Sequence, residues 1–213
     1  MELTKQDMLK YFDEINDELK KQNINGDIII AGGAALTLVY GARNSTMDID
    51  AAFNPKEVFR DIIKSIGSKY SLNNDWLNDG VKGFFTEKMK VTTYKQYSNL
   101  TVKSMDAESL LAMKLTAART DTKDASDSIT LMKYLKIKNI DEVFNIIENN
   151  VYENRLTAQV KFFTMEVYEQ YEKSNMKNSK TLFDKMKVAD KLVKAQEKIC
   201  TNNPPKFKKH EIE

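Results

Sequence analysis

The sequence predicts an α+β chain, with strands confined to its first half and helices filling its second. Residues 27–53 read as strand, Gly-Gly, helix, loop and strand, and residues 67–104 hold further short apolar-alternating runs. From Ala107 onward glycine disappears and helical spacing continues to about residue 198.

Met8, Phe12, Ile15 and Leu19 recur at helical spacing over residues 4–22, behind a Thr4-x-x-Asp7 start, which predicts a capped amphipathic helix that Asn25-Gly26 ends. Asp27–Ala31 is β-branched and bounded by glycine, as a buried strand requires, and Gly32 and Gly33 make the turn. Ala34–Tyr40 suits a short helix closed by Gly41, and Met47–Phe53 a second strand. Pro55 fits the first position of a third helix running to Ile66, with Val58, Phe59, Ile62, Ile63 and Ile66 on one face. Candidate strands follow near residues 83–86, 89–94 and 99–103. The helical half opens with Leu110, Met113, Lys114 and Ala117. Later stripes are Leu156, Val160, Phe163 and Val167, then Leu182, Met186, Ala189 and Leu192 or Val193; packing explains all of them. The expected division is a core with its N-terminal helix over residues 1–105, a helical domain over 106–199, and a disordered, proline-broken tail over 200–213.

Composition excludes several chemistries. Cys200 and His210 are the only residues of their kinds, so disulfide frameworks, Cys/His zinc sites and histidine-assisted nucleophiles within the chain are set aside, and a metal would need oxygen ligands. A formal charge of +2 does not by itself call for nucleic acid. No stretch approaches ~20 consecutive apolar residues. The start, MELTKQDMLKYFDEI, has no basic segment followed by an apolar one, so a cytoplasmic chain without a membrane partner is expected.

The stretch IIIAGGAALTLVYGARNSTMDIDAAF places Asp48 and Asp50 inside an otherwise apolar strand, where the period of two puts both on one face and Ile49 on the other. Two like charges a few ångströms apart need a cation or strong hydrogen bonds to offset their repulsion. Magnesium is the natural choice, because it takes carboxylates, water and phosphate oxygens, and two such ions can hold the attacking and leaving oxygens of a phosphoryl displacement. Upstream, a strand followed by Gly32-Gly33 and a helix offers bare backbone N–H groups to an anion.

These residues resemble the signature of the DNA polymerase β-like nucleotidyltransferase superfamily, in the branch of AbiEii/AbiGii-type toxins and DUF6036 proteins. The match rests on Gly32, Gly33, Ala34, Ala35, Leu36, Arg43 and Asp48-Ile49-Asp50, on DWLNDGVKGF (75–84), and on LLAMKLTAARTDTKDASDSITLM, which supplies Lys114, Arg119, Asp124 and Asp127. It covers residues 25–140 and implies a small mixed sheet with helices, carrying the site at its edge, followed by a helical domain. Two departures stand out. Gly33-Ala34 replaces a common Gly-Ser, which removes a hydroxyl, and the third metal carboxylate has no clear counterpart. Asp106 and Glu108 are the nearest candidates, and Asp106 can equally cap the next helix.

The resemblance implies a magnesium-dependent transfer of an NMP from an NTP, with Asp48 and Asp50 on the metal and Lys114 and Asp127 joining them in catalysis. Gly32, Gly33, Arg43, Ser45 and Lys114 would bind the nucleotide. Lys114 interrupts the apolar run LLAMKL, where either its ammonium snorkels to water or an anion meets it. Arg43 is either a loop charge or a phosphate ligand. Asp124 and Asp127, at i and i+3, can partner Lys114 or Arg119, and Trp76 reads as a core anchor. The biological role implied is a bacterial toxin paired with an antitoxin, or a phage-defence protein, acting on tRNA. Lysines 133, 136 and 138, and those of 176–198, either line an RNA groove or form solvated faces. Other readings are a protein or small-molecule acceptor, or a non-catalytic descendant that binds a nucleotide or partner.

Overall fold

The computed structural model describes residues 2–117 and 123–176. Arg119, the stripe from Leu182 to Val193 and the tail from residue 200 lie outside the described residues. In order the chain forms β1 (Leu3–Thr4), α1 (Lys5–Lys21), β2 (Gly26–Ile30), α2 (Gly32–Leu38), β3 (Ser45–Thr46), β4 (Ile49–Asn54), α3 (Lys56–Tyr70), β5 (Leu77–Asn78), β6 (Val91–Gln96), β7 (Leu100–Met105), α4 (Ala107–Ala117), α5 (Asp124–Leu135) and α6 (Ile140–Asn150). Residues 158–176 are helical. Through Glu169 the described chain belongs to one compact unit. The α+β class is as expected, and no helix among the described residues is long and apolar enough to cross a membrane.

The five-stranded sheet has the order β5-β4-β2-β7-β6, with β2–β4 and β6–β7 antiparallel and β2–β7 and β4–β5 parallel. Ile28 and Ile30 of β2 pair with Phe53 and Ala51 of β4 and with Val102 and Ser104 of β7, so these residues share one face. Helices α1 and α3 cover that face: Met8, Phe12, Ile15 and Leu19 of α1 are fully buried, and Phe59 of α3 stacks on Phe53. A Cβ on Gly26 would lie 2.7 Å from the Phe59 ring and 2.8 Å from Leu19, which shows how closely both helices approach β2. The opposite face carries the Lys103–Asp27 ion pair at 3.0 Å and half-exposed Ile29. Strand β2 is therefore covered on one face rather than buried on both.

Local chemistry explains most boundaries. Thr4 and Asp7 form the expected capping box on α1. The helix ends at Lys21 with Gln22 as its cap, Asn23 with φ 55° turns the chain, and Asn25-Gly26 leads into β2. Pro55 caps α3 from outside. The strand expected near 83–86 is instead a 3-10 turn, Gly80–Phe84, started by the Asn78 side chain accepting the Gly80 N–H at 2.9 Å. Trp76 is buried, as expected, and donates its indole N–H to the Ile63 carbonyl at 3.1 Å. Helix α4 is apolar on nearly every side and packs against α5 and α6. Val160, Phe163 and Val167 form the buried stripe of the helix 158–176; Leu156 precedes that helix.

Candidate active site

Strand β4 starts at Ile49, one residue later than the alternation requires to include Asp48, which lies in the bend just before it. Asp50 shares the less covered sheet face with Ala52, while Ile49 and Ala51 point into the core. The backbone on both sides is fixed, because Ile49 donates to the Trp76 carbonyl at 2.8 Å and Ala31 donates to the Asp50 carbonyl at 2.9 Å. The two acids thus sit at the end of β2, where α2 begins.

The Gly-Gly pair is the first turn of α2 rather than a turn ahead of it. Gly32 has φ +53°, and a Cβ there would lie 2.7 Å from Asp50 Oδ2. At Gly33 a Cβ would lie 2.3 Å from the Thr46 hydroxyl and 3.2 Å from Arg43 Nη1. Glycine is needed at both positions because the carboxylate and the β3 loop press against this turn. Helix α2 has only seven residues, so its dipole adds little.

Neither the Asp48 nor the Asp50 carboxylate has a hydrogen-bond or ion-pair partner among the described residues. Burial pushes the Asp48 carboxyl up from its ordinary value; Asp50 and then Asp75 add to the rise, and Lys114 and Arg43 oppose it. Two half-buried carboxylates left unpaired fit an oxygen-preferring cation. No group of three Asp, Glu, His or Cys side chains that could hold a metal occurs among the described residues, so water and substrate oxygens would complete the shell. Asp106 spends its carboxylate on the Ser109 N–H at 2.8 Å, capping α4, and Glu108 is exposed. Asp75 is the acid that sequence reading missed; its place in the match to DWLNDGVKGF was the only signal.

The cations show the opposite state. Lys114 Nζ lies 2.6 Å from Asp124 Oδ1 and 3.0 Å from Asp127 Oδ2. Asp127 also receives Arg43 in a two-point grip, through Nε at 2.7 Å and through Nη2. Asp124 and Asp127 are only 5% and 3% exposed. Arg43, Asp127, Lys114 and Asp124 therefore form an alternating, paired chain that joins residues 84 apart in sequence.

A cavity of about 250 Å³ brings part of this together. Gly32, Asp50, Lys114 and Asp124 line its polar side, and Val81, Phe84 and Met113 its apolar side. Arg155 holds the Phe84 turn in place, donating to the Gly83 carbonyl at 2.6 Å with its guanidinium 5.4 Å from the Phe84 ring centre. Arg155 was not singled out from sequence, because it belongs to no periodic or acidic motif, and Phe84 entered only as the last residue of the DWLNDGVKGF match. Ser45 is elsewhere: its hydroxyl donates to Glu2, and with Arg43 and Asp127 it lines a separate cavity of about 300 Å³.

No curated protein and no solved structure matches the chain significantly. One family model matches residues 6–176, most of the chain. Its description is a nucleotidyltransferase of unknown function, and the acids, glycines and Lys114 that form the cavity all fall inside the matched span. The chain therefore belongs to the DUF6036 family of nucleotidyltransferases.

Proposed function

We propose that the protein moves an NMP from an NTP to an acceptor hydroxyl with magnesium as its metal, and that the 250 Å³ cavity is where it does so. The observation that supports this most is Asp50 pressed against Gly32 and sharing one cavity with Lys114, while its neighbour Asp48 has no partner among the described residues. Asp48 and Asp50 would hold the magnesium, as one ion or as the two that a phosphoryl displacement uses, and the metal would neutralise charge on the phosphates. Lys114 meets the triphosphate as a point charge. Gly32 and Gly33 let the phosphates approach the backbone. Phe84 and Met113 offer the nucleobase an apolar wall.

The paired chain sorts the remaining residues. Asp124 lines the cavity and touches Lys114, whereas Asp127 touches Lys114 and Arg43 without lining it. Asp127 is thus a positioning residue. Arg43 holds Asp127 in place, which favours its structural reading over that of a phosphate ligand. Ser45 acts from the far side of Arg43 if it acts on the nucleotide at all. Positioning and charge neutralisation carry most of the rate in such transfers.

For the acceptor we propose tRNA, with the protein as the toxin half of a bacterial toxin-antitoxin or phage-defence pair in the cytoplasm; the support is the resemblance to AbiEii-type proteins. The absence of a three-acid metal group among the described residues favours a second reading, a nucleotide-binding descendant without catalysis. The test is incubation with magnesium, each α-³²P-labelled NTP in turn and total bacterial RNA, beside an Asp48→Ala/Asp50→Ala variant. Label on tRNA-sized RNA with wild type alone supports the full proposal. Label on protein moves the acceptor to a protein hydroxyl, and no transfer with any nucleotide supports the second reading.

A further inference from the structure

Strand β5 is the sheet edge nearest the active site, and its Asn78 pairs directly with Asp50 of β4. On the outer side of β5, between α3 and the loop that precedes the strand, lies a groove of about 630 Å³. Asn78 and Asp79 line this groove and the next residue, Gly80, lines the active-site cavity, so one short stretch of backbone separates the two spaces. The groove floor is apolar, built from Phe53, Ile63, Trp76 and Leu77, and its rim carries Arg60 and Lys64.

Lys56, Arg60 and Lys64 recur at i, i+4 and i+8 on α3, one stripe of cations with a rise of about 6 Å per step. At the end nearest the cavity, Lys82 of the Gly80–Phe84 turn joins them. The adjacent Lys56 ammonium, and after it desolvation, hold the Lys82 ammonium below its ordinary value; Asp79 opposes the effect and Arg60 adds a smaller one. Three acids accompany them, and one, Asp79, lines the groove itself. Asp79 lies 3.6 Å from Lys56, Glu57 pairs with Arg60 on an 84% exposed side chain, and Asp61 is exposed one position round the helix. Lys56, Arg60 and Lys82 lie close together and Lys64 continues the stripe along the groove, beside the hydroxyl and amide side chains of Ser68, Ser71, Asn73 and Asn74.

We propose that this groove binds the acceptor strand as RNA, its phosphodiester backbone along the Lys56–Arg60–Lys64 stripe and its reacting end passing Asn78 to reach Asp50. The inference rests on the transferase reading for the identity of the strand as acceptor, and on the groove alone for RNA binding. A strand of phosphates suits a regular line of cations better than a single anion does.

The experiment is fluorescence anisotropy of a 5′-labelled 12-nucleotide single-stranded RNA with the full chain, across a salt series. The proteins are wild type, Arg60→Glu/Lys64→Glu and Lys133→Glu/Lys136→Glu, each with a melting curve to establish folding. Because all four reversed cations are exposed, the variants should fold. The expected result is roughly tenfold weaker binding for the α3 variant, with a salt slope lower by about 1.4, and no change for the Lys133/Lys136 variant. RNA binding unchanged in the α3 variant overturns the proposal. So does loss caused by the Lys133/Lys136 variant instead, no RNA binding by wild type, or equal affinity for a labelled polyglutamate. If RNA depends on α3 but no nucleotide is transferred, the transferase reading fails and the groove stands. If transfer to RNA ignores the α3 charges, the reverse holds.

Discussion

Two groups of charged side chains lie within a few residues of each other in this fold, and they are handled in opposite ways. Arg43, Asp127, Lys114 and Asp124 pair with one another in an alternating chain, each largely withdrawn from water. Asp48 and Asp50 are also half-buried, yet neither has a partner among the described residues, and their mutual repulsion raises the Asp48 carboxyl further. The first group is stable as it stands. The second is costly until something positive arrives, which is what a metal-dependent nucleotide site requires.

The largest effect should come from breaking the paired group. Asp127→Ala leaves Lys114 and Arg43 without their shared carboxylate, and we expect a loss of about 3 kcal/mol in urea unfolding, moderated because both cations keep some solvent. A loss below about 1 kcal/mol would mean the chain of pairs contributes little. Next, Gly33→Ala pushes a Cβ onto the Thr46 hydroxyl and should cost about 1–3 kcal/mol; adding Thr46→Ala should recover much of it, and failure to recover would place the strain elsewhere.

A scale for these numbers comes from the capping box, far from both groups. Thr4→Ala should cost about 1 kcal/mol at neutral pH. The side-chain hydrogen bond from Thr4 holds the Asp7 carboxyl below its ordinary value, so its contribution is present above the unfolded pKa and lost as pH falls through the lowered one. Acid titration of the Thr4 variant should therefore lack that component. The smallest change carries the opposite sign. Asp48→Asn removes one of two repelling charges and should stabilise the metal-free protein, by about 1 kcal/mol or less, while abolishing nucleotide transfer.

Sequence made the second group more legible than the first. Asp48, Asp50 and Gly32-Gly33 are contiguous, and their oddity inside an apolar run marked them directly. The pairing of Arg43 with Asp127 spans 84 residues, so no local pattern could reveal that the arginine is committed to an aspartate. Helix α1 and its cap, helix α3 and strands β6 and β7 were readable because each is long enough to show a period. Strands β1, β3 and β5 are two residues each and have none. The Gly80–Phe84 turn was misread because its glycines and the Asn78 hydrogen bond override a weak alternation. Asp106 read equally as a metal ligand or a helix cap, since both roles use the same residue type just ahead of a helix, and its carboxylate accepts the Ser109 N–H as a cap does.

The claim that the Asp48–Asp50 pair awaits a cation is tested most directly by thermal unfolding of wild type and Asp48→Asn/Asp50→Asn across a magnesium titration, with a non-hydrolysable NTP present. The double variant should start higher and stay flat, while wild type rises with magnesium as RT ln(1 + [L]/Kd) requires. Equal magnesium responses in the two proteins, or a double variant less stable than wild type before any metal is added, would contradict it.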